Sequence, residues 1–178
     1  MVKGSKEHYQ QQVVAELMKA FSAKSPMAVP RLKHITLNMG LGAAKENKNI
    51  ITEGLKALGS VAGQKAVPTL SKKDIAQFKI RKDLAIGAMV TLRKERMWSF
   101  MGRLVNVYLP RVKDFKGLSK KAFDAQGNYS IGINDARVFP ELGAQATVKG
   151  MSVTLVIRSD SSEKSQKMLE LMGLPFRK

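Results

Sequence analysis

The sequence contains no cysteine, which excludes disulfides and thiolate metal sites. It contains only two histidines, the residues that most often act in acid–base catalysis. Nothing points to an oxidising compartment, so we expect a cytosolic protein. No apolar run approaches the roughly 18 residues that a membrane helix needs, and the N-terminal segment is polar where a signal peptide would be apolar. We therefore expect neither secretion nor a membrane span.

Acidic residues are also scarce, with 14 Asp and Glu against 31 Lys and Arg, a formal charge of +17. The excess is concentrated in residues 72–121, which hold 14 basic and 4 acidic side chains. Self-repulsion of this size destabilises a compact protein unless a polyanion neutralises it, and phosphate backbones do so with a gain from released counterions. The distribution favours an RNA-binding protein over a basic surface that is merely solvated.

The apolar content predicts the number of domains. Apolar residues make up 44% of 178 positions, which is enough for one well-buried core and too little for two large ones. We therefore expect one domain over residues 1–178.

The first half of the chain alternates helical and strand patterns. Ser5 precedes a helix with apolar residues at every fourth position, expected to end near Pro26. Residues 34–40 alternate as a half-buried strand. Asn47 or Asn49 begins a second helix that Gly63 should end, and Val67 to Leu70 form a short strand.

The second half continues with strands and helices. Residues 86–93 alternate as a strand, and a helix over 97–108 follows, expected to end at Pro110. A short strand follows Gly127-Asn128, and the alternation at 151–157 predicts a long strand. Ser159 or Asp160 with Glu163 resembles a capping box for a last helix that ends at Gly173 and Pro175. This order predicts an α+β fold, with helices on one face of a mainly antiparallel sheet.

Residues 71–83 form a basic segment that also contains apolar residues. It combines five cations with Ile75, Phe78 and Ile80. This composition is too apolar for a disordered tail and too charged for a core strand. We predict a projecting loop or hairpin.

An enzyme would need reactive groups, and no nucleophile and base pair is apparent. Gly40-Leu41-Gly42 after a strand is a weak match to a dinucleotide-binding loop, because Lys45 stands where the third glycine belongs. A tight turn after the strand explains both glycines better. We predict no catalytic residue, no cofactor and no metal site.

Polar and aromatic residues near the basic segments support binding. Asn38 and Thr91 fall on polar faces of predicted strands and could hydrogen-bond to sugars, phosphates or base edges, or simply face solvent. Phe78 and Phe115 lie among cations, and could stack on exposed bases or anchor their loops. The residues alone leave both pairs of alternatives open.

Several sequence blocks together are similar to one family, the 5S rRNA-binding fifth protein of the bacterial large ribosomal subunit. They follow one another over nearly the whole chain in the family's order and spacing. The blocks are VPR at 29–31, ITLNMGLG at 35–42, GQK at 63–65, IAQFKIR at 75–81, IGAMVTLRKERMW at 86–98, LPRVKDFKGL at 109–118, FDAQGNYSIGI at 123–133, VFPE at 138–141 and GLPF at 173–176.

The resemblance implies a structural protein of the central protuberance, with helices on one face of its sheet and RNA on the other. It implies a link between 5S rRNA and the large-subunit rRNA, and a loop that contacts peptidyl-site tRNA. Further implied partners are neighbouring central-protuberance proteins and protein thirteen of the small-subunit head. No catalysis and no membrane association are implied.

The resemblance also implies site residues, position by position. The 5S rRNA site matches Asn38, Gln64 and Thr91. The tRNA-contacting loop, residues 72–82, matches the basic segment, with Lys72, Lys73, Phe78, Lys79, Arg81 and Lys82 as its contacts. Further contacts to RNA backbone are expected from Arg31, Arg93, Arg111, Lys113 and Lys116.

The chain departs from the family pattern at two places. Residues 79–90 read KIRKDLAIGAMV where relatives usually have Gly before a Pro-Ile-Gly turn, and LGAQATVKG at 142–150 replaces an acidic, tyrosine-containing stretch near the expected small-subunit bridge. Asn134 and Ala136 stand where Glu and Gln are common. From composition alone, a free-standing RNA chaperone or regulator is the alternative, and an RNA-processing enzyme is a distant third.

Overall fold

The computed structural model describes residues 2–42, 49–113, 115–143 and 150–177, apart from the side chain of Arg137. These residues form an α+β fold in which five strands make one antiparallel sheet with the order β2-β3-β1-β5-β4, as the sequence predicts. The strands are β1 Arg31–Gly40, β2 Val67–Leu70, β3 Ala85–Leu92, β4 Tyr129–Ile133 and β5 Met151–Arg158. The α-helices are α1 Lys6–His8, α2 Val14–Ala20, α3 Asn49–Ala62, α4 Lys94–Arg103, α5 Leu109–Arg111 and α6 Ser162–Leu171.

Two π-helical turns complete the helical stretches. Tyr9–Val13 joins α1 to α2, and Leu104–Tyr108 joins α4 to α5. Short 3₁₀ turns lie at Ala76–Phe78, Lys120–Ala122, Ala136–Val138 and Pro140–Leu142. The observed order of helices and strands is the order that the sequence patterns predict.

The alternating patterns place apolar side chains in the core. In β1, Ile35, Leu37 and Met39 are fully buried, whereas Asn38 is exposed. From Ala88 onward in β3, and throughout β5, the same alternation holds, because successive side chains of a strand point to opposite faces. The buried members there are Ala88, Val90, Leu92, Met151, Val153, Leu155 and Ile157.

The chain divides into two compact units. The first unit comprises residues 1–35, 93–131 and 154–178, and the second unit comprises residues 36–92 and 132–153. The expectation of a single domain remains a prediction.

In the first unit, the N-terminal helical stretch packs through aromatic groups. Ser5 caps α1, with its hydroxyl accepting a hydrogen bond from His8 N at 3.1 Å, as predicted. The Tyr9 ring lies 5.2 Å from that of Trp98, and the Tyr9 hydroxyl donates to the carbonyl of Pro30 at 2.8 Å. These contacts fix the stretch against α4.

In the second unit, α3 packs against β3, and Leu58 and Val61 of α3 are buried. Gly54 faces Leu41 so closely that a Cβ would collide with the leucine side chain. Gly63 takes φ +63° directly after α3, which fits the predicted helix end. Asn49 is the first residue of α3, while Asn47, the other predicted start, lies outside the described residues.

Three predicted helix boundaries are wrong. The first helical stretch ends at Ala20 instead of near Pro26, because Phe21 leaves helical geometry and Ser22 takes φ +48°. Pro110 lies inside α5, where the preceding π-helical turn changes the hydrogen-bond spacing, and the chain becomes extended only at Val112. Each error concerns a boundary and not the presence of the helix.

The cap of α6 is the third error. Ser161 is the N-cap, with extended backbone and a hydroxyl that accepts from Lys164 N at 3.4 Å. Ser159 instead donates its hydroxyl hydrogen to the carbonyl of Ser161 at 2.8 Å. The predicted end is confirmed, since Gly173 takes φ +98° after Met172.

Candidate RNA interface

The predicted 5S rRNA residues all belong to the second unit. Asn38 is exposed on β1, and Thr91 is half-buried on β3, the strand beside β1 in the sheet. Both stand between buried residues of their strands, so their side chains lie on the face opposite the core, which we call the open face. The strand pattern alone predicts this placement.

Gln64 joins Thr91 by a direct contact. Gln64 follows the left-handed Gly63 at the end of α3, and its Nε2 donates to the carbonyl oxygen of Thr91 at 3.4 Å. The Gln64 side chain is half-buried. The structure therefore brings together two of the three predicted residues from positions far apart in the sequence.

Asn38 lines a shallow depression of about 300 Å³ with Gly40, Gly132, Asn134 and Ser152. The Ser152 hydroxyl donates to the carbonyl of Asn38 at 3.4 Å. Small residues and amides leave the surface around Asn38 open and rich in hydrogen-bonding groups. Such a surface suits contacts to ribose hydroxyls and base edges.

An apolar pair that the sequence pattern does not predict also lies on the open face. Val67 and Met89 are register partners in β2 and β3, and they are 60% and 39% exposed. The sequence does not predict this pairing, because each residue alone resembles an ordinary strand residue and the register between the strands is not visible in the sequence. The pair adds apolar surface to a face that otherwise offers polar groups.

The segment between β2 and β3 contains the predicted tRNA-contacting loop. Ser71 N donates to Leu84 O at 2.9 Å and Asp83 N donates to Ser71 O at 3.0 Å, which closes the base of the segment. Further along, Ile75 and Ile80 exchange backbone hydrogen bonds at 2.9 and 3.1 Å. The segment is thus a hydrogen-bonded hairpin end.

The basic side chains of this hairpin end are exposed to solvent. All five predicted cations are exposed, namely Lys72, Lys73, Lys79, Arg81 and Lys82. The Asp74 carboxylate accepts from Lys82 N at 2.7 Å, and Lys79 takes the left-handed φ of +52°. Phe78 is 55% exposed, which favours contact with a partner over anchoring of the loop.

The other expected phosphate contacts lie in the first unit and are all exposed. They are Arg31, Arg93, Arg111, Lys113 and Lys116. Partial burial lowers the pKa of His34, and the charges of Arg93 and Lys33 lower it further. These effects favour the uncharged form of His34.

Among residues 2–42, 49–113, 115–143 and 150–177, no cluster of three or more His, Asp or Glu side chains could hold a metal ion. No helix in those ranges is both long and apolar enough to cross a membrane.

Comparisons with known proteins cover nearly all of the chain. The family model described as ribosomal protein L5 matches residues 25–81, and the model for the C-terminus of the same ribosomal protein family matches residues 85–176. The large ribosomal subunit protein uL5 of Trichlorobacter lovleyi is 48% identical over 174 residues, 97% of each chain. The proteins of the same name from Geobacter sulfurreducens and Porphyromonas gingivalis are 45% and 48% identical, covering 97% of this chain and 97% and 93% of theirs.

Proposed function

This chain belongs to the ribosomal L5 family, and from that membership we propose that it binds 5S rRNA and joins it to the large-subunit rRNA in the central protuberance. As a member of the family, the chain is a structural constituent of the large ribosomal subunit and not an enzyme. Its place is the ribosome of the cytoplasm.

The 5S rRNA site consists of Asn38 and Thr91 on the open face, together with Gln64 just after α3. The observation that carries this proposal is the hydrogen bond from Gln64 Nε2 to Thr91 O, because it joins two of the three residues that the family resemblance selects. Amide and hydroxyl groups on a sheet can read sugar hydroxyls and base edges, while cations elsewhere supply affinity. Val67 and Met89 extend the same face with apolar contact area.

The hairpin end between β2 and β3 contacts peptidyl-site tRNA. Its exposed cations, Lys72, Lys73, Lys79, Arg81 and Lys82, surround the exposed Phe78. A site that must accept every tRNA is best served by contacts to the sugar-phosphate backbone, since base contacts would discriminate among tRNAs. Backbone hydrogen bonds hold the hairpin end that carries these cations, and the cations' own side chains are not packed in the core.

We propose the remaining partners from the family resemblance. Arg31, Arg93, Arg111, Lys113 and Lys116 are exposed and contact RNA backbone. The chain packs against neighbouring central-protuberance proteins and bridges to protein thirteen of the small-subunit head. Part of the region expected to form that bridge, residues 144–149, lies outside the described residues.

A competition experiment tests the proposal. Purified protein is titrated with 5S rRNA in the presence of an unrelated structured RNA of equal length, at several salt concentrations. We expect preference for 5S rRNA and, for about six engaged phosphates, a log–log salt slope of roughly −4 to −5. Equal binding to both RNAs would sink the specificity claim. Stoichiometric recovery in purified large subunits separates this role from that of a free-standing RNA chaperone.

A further inference from the structure

A basic depression of about 420 Å³ lies in the first unit, and of its lining residues only Arg31 belongs to the proposed RNA contacts. It lies where β1 and β5, neighbours in the sheet, meet the turn 124–128 that precedes β4. We call it the basic pocket. Its polar lining consists of Arg31, Lys33, Gln126, Asn128, Arg158 and Ser159.

The turn that forms one wall of the basic pocket is firmly built. The Asp124 carboxylate accepts hydrogen bonds from Gln126 N at 2.9 Å, from Asn128 N at 2.7 Å and from Asn128 Nδ2 at 2.7 Å. Asn128 Oδ1 in turn accepts from Ile157 N of β5 at 3.0 Å. The turn is therefore tied to the strand that carries Arg158, which holds Gln126 and Asn128 in place at the pocket.

The cations of the basic pocket lack compensating charge. Arg31, Lys33 and Arg158 are exposed, and none of them forms a salt bridge with any residue that the structure describes. The Asp124 oxygens accept from N–H groups of their own turn instead. Three like charges around one depression repel one another, and an anion between them would offset that repulsion. Arginine in particular suits phosphate, because its planar guanidinium donates two parallel hydrogen bonds.

The lining also indicates which anion fits. None of the residues that line the basic pocket is aromatic, so the pocket offers no ring on which a base could stack. A free nucleotide would thus gain only its phosphate contacts. Spaced cations on neighbouring strands instead suit successive phosphates of a polymer, because counterion release rewards each phosphate that is neutralised.

We propose that the basic pocket binds successive backbone phosphates of ribosomal RNA as a contact of its own, in addition to the polar site of the second unit. The proposal rests on the RNA-binding function argued above and adds Lys33, Gln126 and Arg158 to the residues that carry it. Because it reads only backbone, the pocket strengthens binding without selecting a sequence.

The test uses the full chain with the double substitution Lys33→Gln and Arg158→Gln. The matched control is Lys19→Gln with Lys24→Gln, which removes the same charge from exposed positions of the same unit. Affinity for 5S rRNA and for protein-free large-subunit rRNA is measured at several salt concentrations, with melting temperature as a check of folding.

For at least one RNA, we expect the pocket variant to lose about tenfold or more in affinity and its log–log salt slope to become shallower by roughly 1.5, as for two lost phosphate contacts. The control should change affinity by less than about threefold. The RNA that responds identifies the source of the phosphates. If the pocket variant and the control behave alike with both RNAs while the unsubstituted protein binds normally, the pocket has no such role. If the unsubstituted protein binds neither RNA, the proposed function itself fails.

Discussion

The side-chain amide of Gln64 donates a hydrogen bond from Nε2 to the backbone carbonyl oxygen of Thr91 at 3.4 Å. This distance is long for an N–H···O bond, so its contribution to stability is at the low end of the usual range of about 0.5–1.5 kcal/mol. The bond holds the end of α3 beside β3. The bond keeps the side-chain amide of Gln64 beside β3. The second unit therefore carries this amide in addition to that of Asn38.

The first prediction separates binding from stability at this site. Alanine at Asn38, Gln64 or Thr91 should each cost about 1–3 kcal/mol of 5S rRNA binding, because RNA groups lose their partners. Asn38→Ala should change the free energy of unfolding by less than about 0.5 kcal/mol, since the side chain is exposed, whereas Gln64→Ala should cost up to about 1 kcal/mol. Filter binding and urea unfolding measure the two quantities.

Thr52→Ala, at an exposed position of α3, is the control for the first prediction. It should alter neither binding nor unfolding by more than about 0.5 kcal/mol. If an alanine variant at Asn38, Gln64 or Thr91 binds 5S rRNA normally but has a much lower melting temperature, that side chain serves the fold and not RNA binding.

The strands could be predicted because their faces repeat with period two. Ile35, Leu37 and Met39 alternate with polar residues in the sequence, and they are fully buried in the structure. The pattern therefore determines which face of β1 is polar. It does not determine the cap of α6, because a run of serines and Asp160 offers several equivalent candidates.

The sites were harder to predict than the strands. Contacts such as Gln64 with Thr91 join distant positions, and periodicity within one segment carries no information about them; that grouping came from the family resemblance. The basic pocket illustrates the same limit, since Lys33 and Arg158 meet only because β1 and β5 are neighbours in the sheet. Val67 and Met89 likewise pair through a register that the sequence does not state.

The second prediction concerns Gly87, where β3 leaves no room for a side chain. A Cβ there would lie 2.8 Å from the carbonyl oxygen of Met39 and 2.6 Å from Oγ1 of Thr69. The threonine can rotate, but the backbone of β1 cannot move without disturbing the sheet. Gly87→Ala should therefore lower the free energy of unfolding by about 1–3 kcal/mol.

Gly40→Ala is the matched control for Gly87, since nothing lies within 4 Å of a Cβ at that position of β1. Urea unfolding of both variants provides the comparison. Equal stability of the two variants would mean that the strands separate to accept the methyl group at little cost.

The third prediction uses the pH dependence of Tyr129. The ring is 1% exposed among Phe123 and Phe176, and its hydroxyl donates to Ser119 O at 2.8 Å. Burial raises the pKa of Tyr129 to about 12, although the charge of Arg177 lowers it in part. The stability from the neutral hydroxyl is thus fully present below about pH 10, where the unfolded tyrosine is neutral, and is lost as the pH rises toward 12.

Tyr129→Phe should therefore be less stable than the unsubstituted protein by about 1 kcal/mol at pH 8, because Ser119 O loses its donor. At pH 11 the gap should close, since the unsubstituted protein alone loses about 1.4 kcal/mol through this group. Urea unfolding at the two pH values measures the gap. A gap that stays constant would show that the hydroxyl is not the group that titrates.

The last prediction concerns the hairpin end between β2 and β3, whose cations take no part in its hydrogen bonds through their side chains. The bonds that shape it run between backbone groups, from the Lys82 backbone N–H to the Asp74 carboxylate at 2.7 Å, and from the Ser71 hydroxyl to the Lys73 carbonyl at 2.8 Å. Replacing Lys79, Arg81 and Lys82 together by Gln should therefore leave the hairpin intact and change the melting temperature and 5S rRNA affinity little.

The same triple variant should weaken tRNA retention in the peptidyl site of assembled ribosomes and make the surviving binding less sensitive to salt, because three phosphate contacts are removed. Gln at Lys19, Lys24 and Lys56, three exposed positions outside this segment, removes the same charge and should leave retention unchanged. Since each cation is exposed in the free protein, a loss of 5S rRNA binding as large as that of Asn38→Ala would mean that the hairpin end and the open face act on the same RNA. Normal tRNA retention would mean that the hairpin end does not contact tRNA at all.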